Sequence, residues 1–330
     1  MSVPGVGTVE AVVEAGGAGT TRVMTRVEER MVELVSTHGK LLARHGGETI
    51  TAGGKRLRPL LVCIAAGVPV EESDALVRAA VAVELVHAAT LVHDDVIDGA
   101  DLRRGKPTVV ASGGRLLALA TGDLLFSRAF AELARNRDAA QLQALSEASS
   151  ALAEGELLQR EDAFAAHVAV ERYLRRCELK TAALFEAACR LGALTAADGS
   201  DALADSLGAF ARRIGLAFQL LDDVLDVSGP VERTGKARGT DLLDGTVTLP
   251  FILAREREPS LASVELRSLG GPRQAEALCE RIAATGALEE ARERALAVVA
   301  EAKAALPAMP PGGRSVLLEL VADAVVERYR

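Results

Sequence analysis

Apolar residues in this chain recur at intervals of three and four, as in Leu116, Leu117, Leu119 and Ala120 or in Leu142, Leu145, Ala148 and Leu152. That is the period of helices burying one face, not of strands. No proline falls between Pro107 and Pro230, and the span is rich in Ala and Leu and poor in β-branched alternation. It predicts a run of successive helices. Breaks are expected at Gly53-Gly54, Gly99, Gly105, Gly113-Gly114, Gly122 and Gly192, since glycine weakens a helix interior. Ser73 and Asp74 offer an N-cap for a helix running to about Asp98. The polar, glycine-rich stretch 228–245 predicts a mobile loop, after which the helical pattern resumes with interruptions at Pro259, Pro272 and from Pro307 to Pro311. No linker separates two independent cores. The expectation is a disordered tail over 1–20 and a single all-α domain over 21–330.

Composition sharpens this picture. Hydrophobic residues make up 49% and charged residues 25%, the balance of a globular chain with ample core. Aromatics are 3% and Trp is absent, so Ala, Leu and Val must build that core by helix-on-helix packing. A net charge of -8 argues against a general nucleic-acid binder. Cys63, Cys177, Cys189 and Cys279 show no close pairing and sit among apolar neighbours, as small buried hydrophobes of a reducing compartment do. Residues 1–20 lack the basic start and compact apolar region of a secretory signal. No uninterrupted apolar run reaches about 18 residues, so no transmembrane segment is predicted and the expected location is cytoplasmic.

Two pentapeptides carry candidate chemistry. Asp94-Asp95-Val96-Ile97-Asp98 and Asp222-Asp223-Val224-Leu225-Asp226 each close an apolar helix. In each, the first and last aspartates are four apart and share a helix face. Like charges at that spacing repel, and at a helix C-terminus they also oppose the dipole. A hard divalent cation compensates both effects, and Mg²⁺ prefers oxygen ligands while leaving positions open for substrate phosphates. Two such sets with metal between them would clamp a diphosphate. The cations for such a ligand are present as well. Lys55, Arg56 and Arg58 lie in a glycine-led turn, Arg103, Arg104 and Lys106 follow the first aspartate motif, and Lys180, Arg233 and Lys236 come later.

These segments resemble one family in order and spacing, from about residue 25 to the end. They are Gly53-Gly54-Lys55-Arg56-Leu57-Arg58-Pro59, the run from His87 to Asp98, the run from Asp101 to Thr108, Lys180-Thr181, the run from Gly215 to Asp226, and Gly235-Lys236. Together they look like the trans-isoprenyl diphosphate synthases (polyprenyl synthases). The resemblance implies an all-α bundle around a deep central cavity, usually a homodimer, using Mg²⁺ to join isopentenyl diphosphate to an allylic diphosphate. It implies that Lys55, Arg58, His87 and Arg104 hold the diphosphate of isopentenyl diphosphate. Asp94, Asp98 and Asp222 become the principal Mg²⁺ ligands, with Asp95, Asp223 and Asp226 in support. Arg103, Lys180 and Lys236 grip the allylic diphosphate, and Thr181 and Gln219 line the reacting carbon. One departure is Thr246, near where many relatives carry a lysine; it puts one diphosphate contact in doubt. A terpene cyclase would share the ionisation chemistry but has no need of the Lys55 and Arg58 site, and a non-catalytic synthase subunit generally loses aspartates that are intact here.

Product length is read from the helix ending in Asp94. Residues four and five before it, Thr90 and Ala89, lie one turn below the metal. Short-product relatives tend to place a bulky aromatic there, whereas both residues here are small. The expectation is a product of six or more isoprene units, with four units as the alternative and a subunit of a heteromeric synthase as a further one. Phe126 and Phe130 are the large residues available as a deeper floor, although core packing is their more ordinary use.

Overall fold

The computed structural model describes residues 9–36, 47, 50, 56–67, 73–103, 105–165, 167–229, 238–307, 313–327 and 329. Their contacts divide the chain into two compact units interleaved along the sequence. The first comprises residues 1–149, 184–211 and 306–324, and the second 150–183, 212–305 and 325–330. As expected, the architecture is all-α.

The first unit is organised by α4 (Asp74–Asp98), after α1 (Val9–Ala15), α2 (Gly17–Ser36) and α3 (Leu57–Ala65). Its start follows the predicted cap: Ser73 is extended, and its hydroxyl accepts the Leu76 N–H at 3.1 Å. Its end is the left-handed Gly99. Between the caps, Ala79, Ala80, Val81, Ala82, Val83, Leu85, Val86 and Ala89 are all fully buried. A helix that is apolar all round belongs in a core. It is the one helix among the described residues long and apolar enough to cross a membrane, and 72% of that window is buried inside the protein. The most extensive neighbour of α4 is α6 (Arg115–Ala134), preceded by the short α5 (Val109–Gly113). Then come α7 (Ala139–Asp162), α9 (Ala183–Thr195), α10 (Asp201–Ser228) and α16 (Arg314–Glu327), parts of which belong to this unit.

The second unit holds the end of α7, then α8 (Val170–Cys177) and a π-helical turn (Glu178–Ala182) that runs into α9. It continues with the second half of α10 and with α11 (Thr240–Leu243), α12 (Leu249–Arg257) and α13 (Pro259–Ala262). The helices α14 (Pro272–Ala284) and α15 (Ala287–Ala304) complete it, and α12 packs on both. Prolines stand at the first helical position of α13 and α14 and the second of α12, where a missing N–H is harmless.

The structure differs from the sequence pattern in three places. Residues 9–20, expected as a tail, are helical, with Val12 at 1% exposure and Thr20 fully buried. The spacing Val9, Val12, Thr20, Val23, Val27, Met31 keeps a buried stripe that Gly16 and Gly17 disguise. A two-stranded hairpin pairs β1 (Leu102–Arg103) with β2 (Lys106–Pro107); strands of two residues are too short to show alternation. Finally, Gly122 and Gly192 do not break helices but lie inside α6 and α9. A Cβ on Gly122 would stand 2.2 Å from His93 Nε2, and one on Gly192 would stand 2.2 Å from the Val62 carbonyl oxygen. Their role is close approach between packed helices. Although Ala favours a helix by about 1 kcal/mol over Gly, Gly192→Ala should destabilise the protein by roughly 2 kcal/mol, because the obstacle is backbone and overpacking costs about 1–3 kcal/mol. Thermal melting checks this, and an unchanged or higher Tm would refute the close-packing account.

Candidate active site

The first aspartate motif forms the last turn of α4. Adjacent helical residues are about 100° apart, so Asp94 and Asp98 share a face while Asp95 turns inward. Asp98 is exposed and Asp94 half-buried, whereas Asp95 is only 4% exposed. Arg103 Nε donates to Asp95 Oδ1 at 2.7 Å. The hairpin makes this possible, because its reversal at left-handed Gly105 sets Arg103 opposite Lys106 and returns the guanidinium to the helix end. Arg104 lies outside the described residues.

The glycine-led basic turn precedes α3 in the same unit. Lys55 lies outside the described residues, but Arg56 and Arg58 are placed. Arg56 is a non-glycine residue in the left-handed region, φ 48° and ψ 36°, a conformation that surrounding contacts must hold. Its guanidinium donates to Glu28 on α2 at 2.5 Å, to Glu84 on α4 at 2.8 Å and to the Ile50 carbonyl at 2.6 Å. Glu84 lies one turn before His87 on the same face of α4, so this ion pair ties the turn to the helix carrying His87. Arg58 lays its guanidinium 4.7 Å over the Phe185 ring. Sequence reasoning counted Arg56 merely as a cation. The signal it passed over was Glu84, a charge in an apolar run that burial obliges to find a partner.

The second unit gathers Lys180, Thr181, Gln219 and the second aspartate motif. Thr181 sits in the π turn, and its hydroxyl donates to Gln219 Oε1 at 2.7 Å. Gln219 Nε2 donates to Asp223 Oδ1 at 2.7 Å, and Tyr173 Oη donates to Asp223 Oδ2 at 2.6 Å. Burial, reinforced by the charge of Asp241, pushes the Asp223 carboxyl up to about 7. The hydrogen bonds from Tyr173 and Gln219 and the charge of Arg176 pull the other way. Lys180 forms an ion pair with Glu156, which also accepts from Arg160 at 2.8 Å. Burial works against the charge on Glu156, but Lys180 and Arg160 hold its carboxyl below the usual range. Asp222 is half-buried and accepts from Tyr329 Oη at 3.1 Å, with the Tyr329 ring edge-on to Phe218. Asp226 accepts the Asp241 N–H at 3.3 Å, which anchors the start of α11. Lys236 lies outside the described residues, as does most of the predicted loop around it.

Sequence reasoning did not single out Tyr173, Glu156 or Tyr329. Tyrosine is scarce in this chain, with two in all, and each of the two donates to an aspartate of the second motif. That scarcity was the available signal.

Ala89 is fully buried on α4 and Thr90 half-buried, its hydroxyl donating to the His87 carbonyl at 2.8 Å. His93, one turn after Ala89, stacks on Phe126 with centroids 5.9 Å apart, and both rings are half-buried. All four cysteines are free and buried, and burial raises each thiol pKa, to about 12 for Cys63 and Cys279. Among the described residues no three His, Cys, Asp or Glu side chains converge as a finished metal cage. The donors in each aspartate motif are nonetheless all hard oxygen, two on one face of a helix end. That set fits a cation held by one or two carboxylates and completed by water and substrate phosphates.

Known proteins resemble this chain over most of its length. The polyprenyl synthetase family profile matches residues 40–284. Component 2 of the heptaprenyl diphosphate synthase of Geobacillus stearothermophilus is 39% identical over 73% of this chain and 75% of its own. The geranylgeranyl diphosphate synthase of Methanosarcina mazei is 36% identical over 84% of this chain and 87% of its own. The crystal structure of a polyprenyl synthase from Caulobacter crescentus, complexed with calcium and isoprenyl diphosphate, superposes with a TM-score of 0.89 at 35% identity. It covers 99% of this chain and 100% of that one. The chain therefore belongs to the polyprenyl synthetase family and is a prenyltransferase.

Proposed function

We propose that this prenyltransferase condenses isopentenyl diphosphate with an allylic diphosphate, head to tail, and makes a trans-polyprenyl diphosphate of six or more isoprene units. The observation that carries this reading is the row Thr181, Gln219, Asp223 on the π turn and α10, one residue from Asp222 and beside Lys180. It sets polar oxygens and a cation next to acidic metal donors, as ionisation of an allylic diphosphate requires. The calcium and isoprenyl diphosphate named for the Caulobacter structure support the same ligand chemistry.

In this reading Asp94, Asp98 and Asp222 hold Mg²⁺, with Asp95, Asp223 and Asp226 behind them. Bound there, the metal supplies Lewis-acid compensation for the negative charge of the departing diphosphate. Arg103, Lys180 and Lys236 grip that diphosphate. Arg103 and Lys180 exchange the carboxylates of Asp95 and Glu156 for phosphate oxygens when substrate arrives. Lys55, Arg58, His87 and Arg104 hold the second diphosphate. The allylic C–O bond breaks with its electron pair leaving on diphosphate. The oxygens of Thr181 and Gln219 face the allylic cation. The double bond of isopentenyl diphosphate attacks the cation, and a proton is lost to the released diphosphate. We take the working assembly to be a homodimer.

Small residues at Ala89 and Thr90 support the long product. The Methanosarcina relative favours a second reading, a four-unit product, and the name of the Geobacillus relative favours a third, one component of a two-component synthase. Product analysis separates them. The purified chain is incubated with Mg²⁺, labelled isopentenyl diphosphate and five-, ten-, fifteen- or twenty-carbon starters, and the chains are sized after phosphatase treatment. Thirty carbons or more is the expected outcome. Accumulation at twenty supports the second reading, and no condensation with any starter supports the third.

A further inference from the structure

In the second unit four side chains form one hydrogen-bonded row whose direction follows atom by atom. With Asp223 ionised, its oxygens only accept, so the Tyr173 proton goes to Asp223 Oδ2, 2.6 Å away. The other carboxylate oxygen accepts the amide N–H of Gln219 at 2.7 Å. With its nitrogen turned to Asp223, Gln219 presents Oε1 to the Thr181 hydroxyl at 2.7 Å. An amide oxygen only accepts. The Thr181 proton therefore points at Gln219, and the Thr181 lone pairs face away from it. Tyr173 is fully buried, Asp223 is 3% exposed and Thr181 8%, while Gln219 is half-buried, so water has little access to the Tyr173 end of the row.

We propose that Tyr173 is a positioning residue for the transfer step: acting through Asp223 and Gln219, it fixes which way the Thr181 hydroxyl faces and keeps its lone pairs toward the developing allylic cation. This rests on the reading above, in which Thr181 and Gln219 line the reacting carbon. Oriented dipoles stabilise a cation only if they do not need to reorganise as charge appears. A hydroxyl free to rotate would as often present its hydrogen, which repels the cation. Locking the row needs a donor at its far end that cannot accept back from a carboxylate, and Tyr173 is that donor.

The surroundings hold Tyr173 from behind. Arg176 stands 5.3 Å over its ring and donates to the Val247 carbonyl at 2.6 Å. The π turn supplies the alignment. On an unbroken α-helix Thr181, eight residues on, would stand about 80° away from the Tyr173 face. A π turn carries one extra residue and takes back about 100°, which lets Tyr173 and Thr181 meet Asp223 and Gln219 along one face of α10. The same division occurs in the first motif, where Asp95 also turns inward to a protein donor, Arg103. The second aspartate of each motif thus faces a protein donor within its own unit.

The test is steady-state kinetics of the full chain with isopentenyl diphosphate and an allylic starter. Tyr173→Phe removes one oxygen and keeps the ring. It should lower kcat by about 10- to 100-fold, the effect typical of an outer partner. Both KM values and the half-saturating Mg²⁺ concentration should stay within about twofold. Asp223→Asn keeps the shape of the row, and where Tyr173 still donates to its amide oxygen the amide nitrogen donates to Gln219 and reverses the row, so kcat should fall at least as far. In a Thr181→Val background Tyr173→Phe should change kcat by less than about twofold, because the hydroxyl through which it acts is gone. Multiplicative losses in the double variant would overturn the proposal. So would a Tyr173→Phe defect that is cured by raising Mg²⁺, which would assign Asp223 to the metal. If Tyr173→Phe does not fold, Asp223→Asn at wild-type kcat overturns the proposal and a loss of kcat at constant KM supports it. A wild-type chain without condensation defeats the functional reading and this inference together; a condensing wild type matched by Tyr173→Phe defeats this inference alone.

Discussion

Asp94→Ala and Asp222→Ala should each lower turnover by roughly 10²- to 10³-fold while leaving the fold intact. The rate loss follows from the charge that must be stabilised when diphosphate departs. Removing one well-placed electrostatic partner from such a site typically costs about 3–4 kcal/mol of transition-state stabilisation, and each 1.36 kcal/mol is about a factor of ten. The fold should survive because neither carboxylate is in the core: both are half-buried. Asp94 also sits in the last turn of α4, four residues from Asp98, where the dipole and the like charge both disfavour it. Asp94→Ala should leave Tm unchanged or slightly higher. Asp95→Ala is the informative contrast, since it strips the buried partner from Arg103 and should lower Tm. Circular dichroism with a thermal melt, beside a rate assay at saturating Mg²⁺, checks all three. Turnover within tenfold of wild type in either Asp94→Ala or Asp222→Ala would sink the assignment of these residues to metal.

Ala89→Phe should shorten the product to three or four isoprene units while total condensation stays within a few-fold of wild type. Ala89 stands five residues before Asp94, about 7.5 Å along the helix axis, and a phenyl ring there would meet a growing tail after the first additions. The side chain is fully buried on the face that continues to His93 and its stack on Phe126. The substitution therefore carries its own control. If the tail runs past Ala89, space exists there and the ring should enter at little cost in Tm. If Ala89 instead packs directly on a neighbouring helix, the ring overpacks the core and costs about 1–3 kcal/mol. An unchanged product distribution would mean that the tail takes another route.

The two predictions draw on different amounts of sequence information. Asp94 and Asp222 were visible as candidates because two copies of one acidic pentapeptide at apolar helix ends form a purely local pattern. The helix bounds of α4 were visible for the same reason: Ser73 caps it, Gly99 ends it, and both act within one turn. Arg56 and Glu84 show where local reading stops. The sequence holds both residues, but nothing near either one shows that they meet, or that the contact holds Arg56 in a left-handed conformation.

By itself the sequence determined the helical class, the main core helix, the two aspartate motifs and the family resemblance, because helical period, capping and motif spacing are encoded within a few residues of each other. Only the tertiary structure decided that Gly122 and Gly192 serve close packing rather than helix breaks, and that residues 9–20 join the helical body. It alone decided that Asp95 faces Arg103 while Asp223 faces Tyr173 and Gln219, and that Glu156 holds Lys180. Each of these facts depends on which residue, from four positions away for Gln219 and Asp223 to 130 away for Val62 and Gly192, fills the space a side chain points into. The physical reason is that a buried polar group must be satisfied, but the sequence does not say by whom.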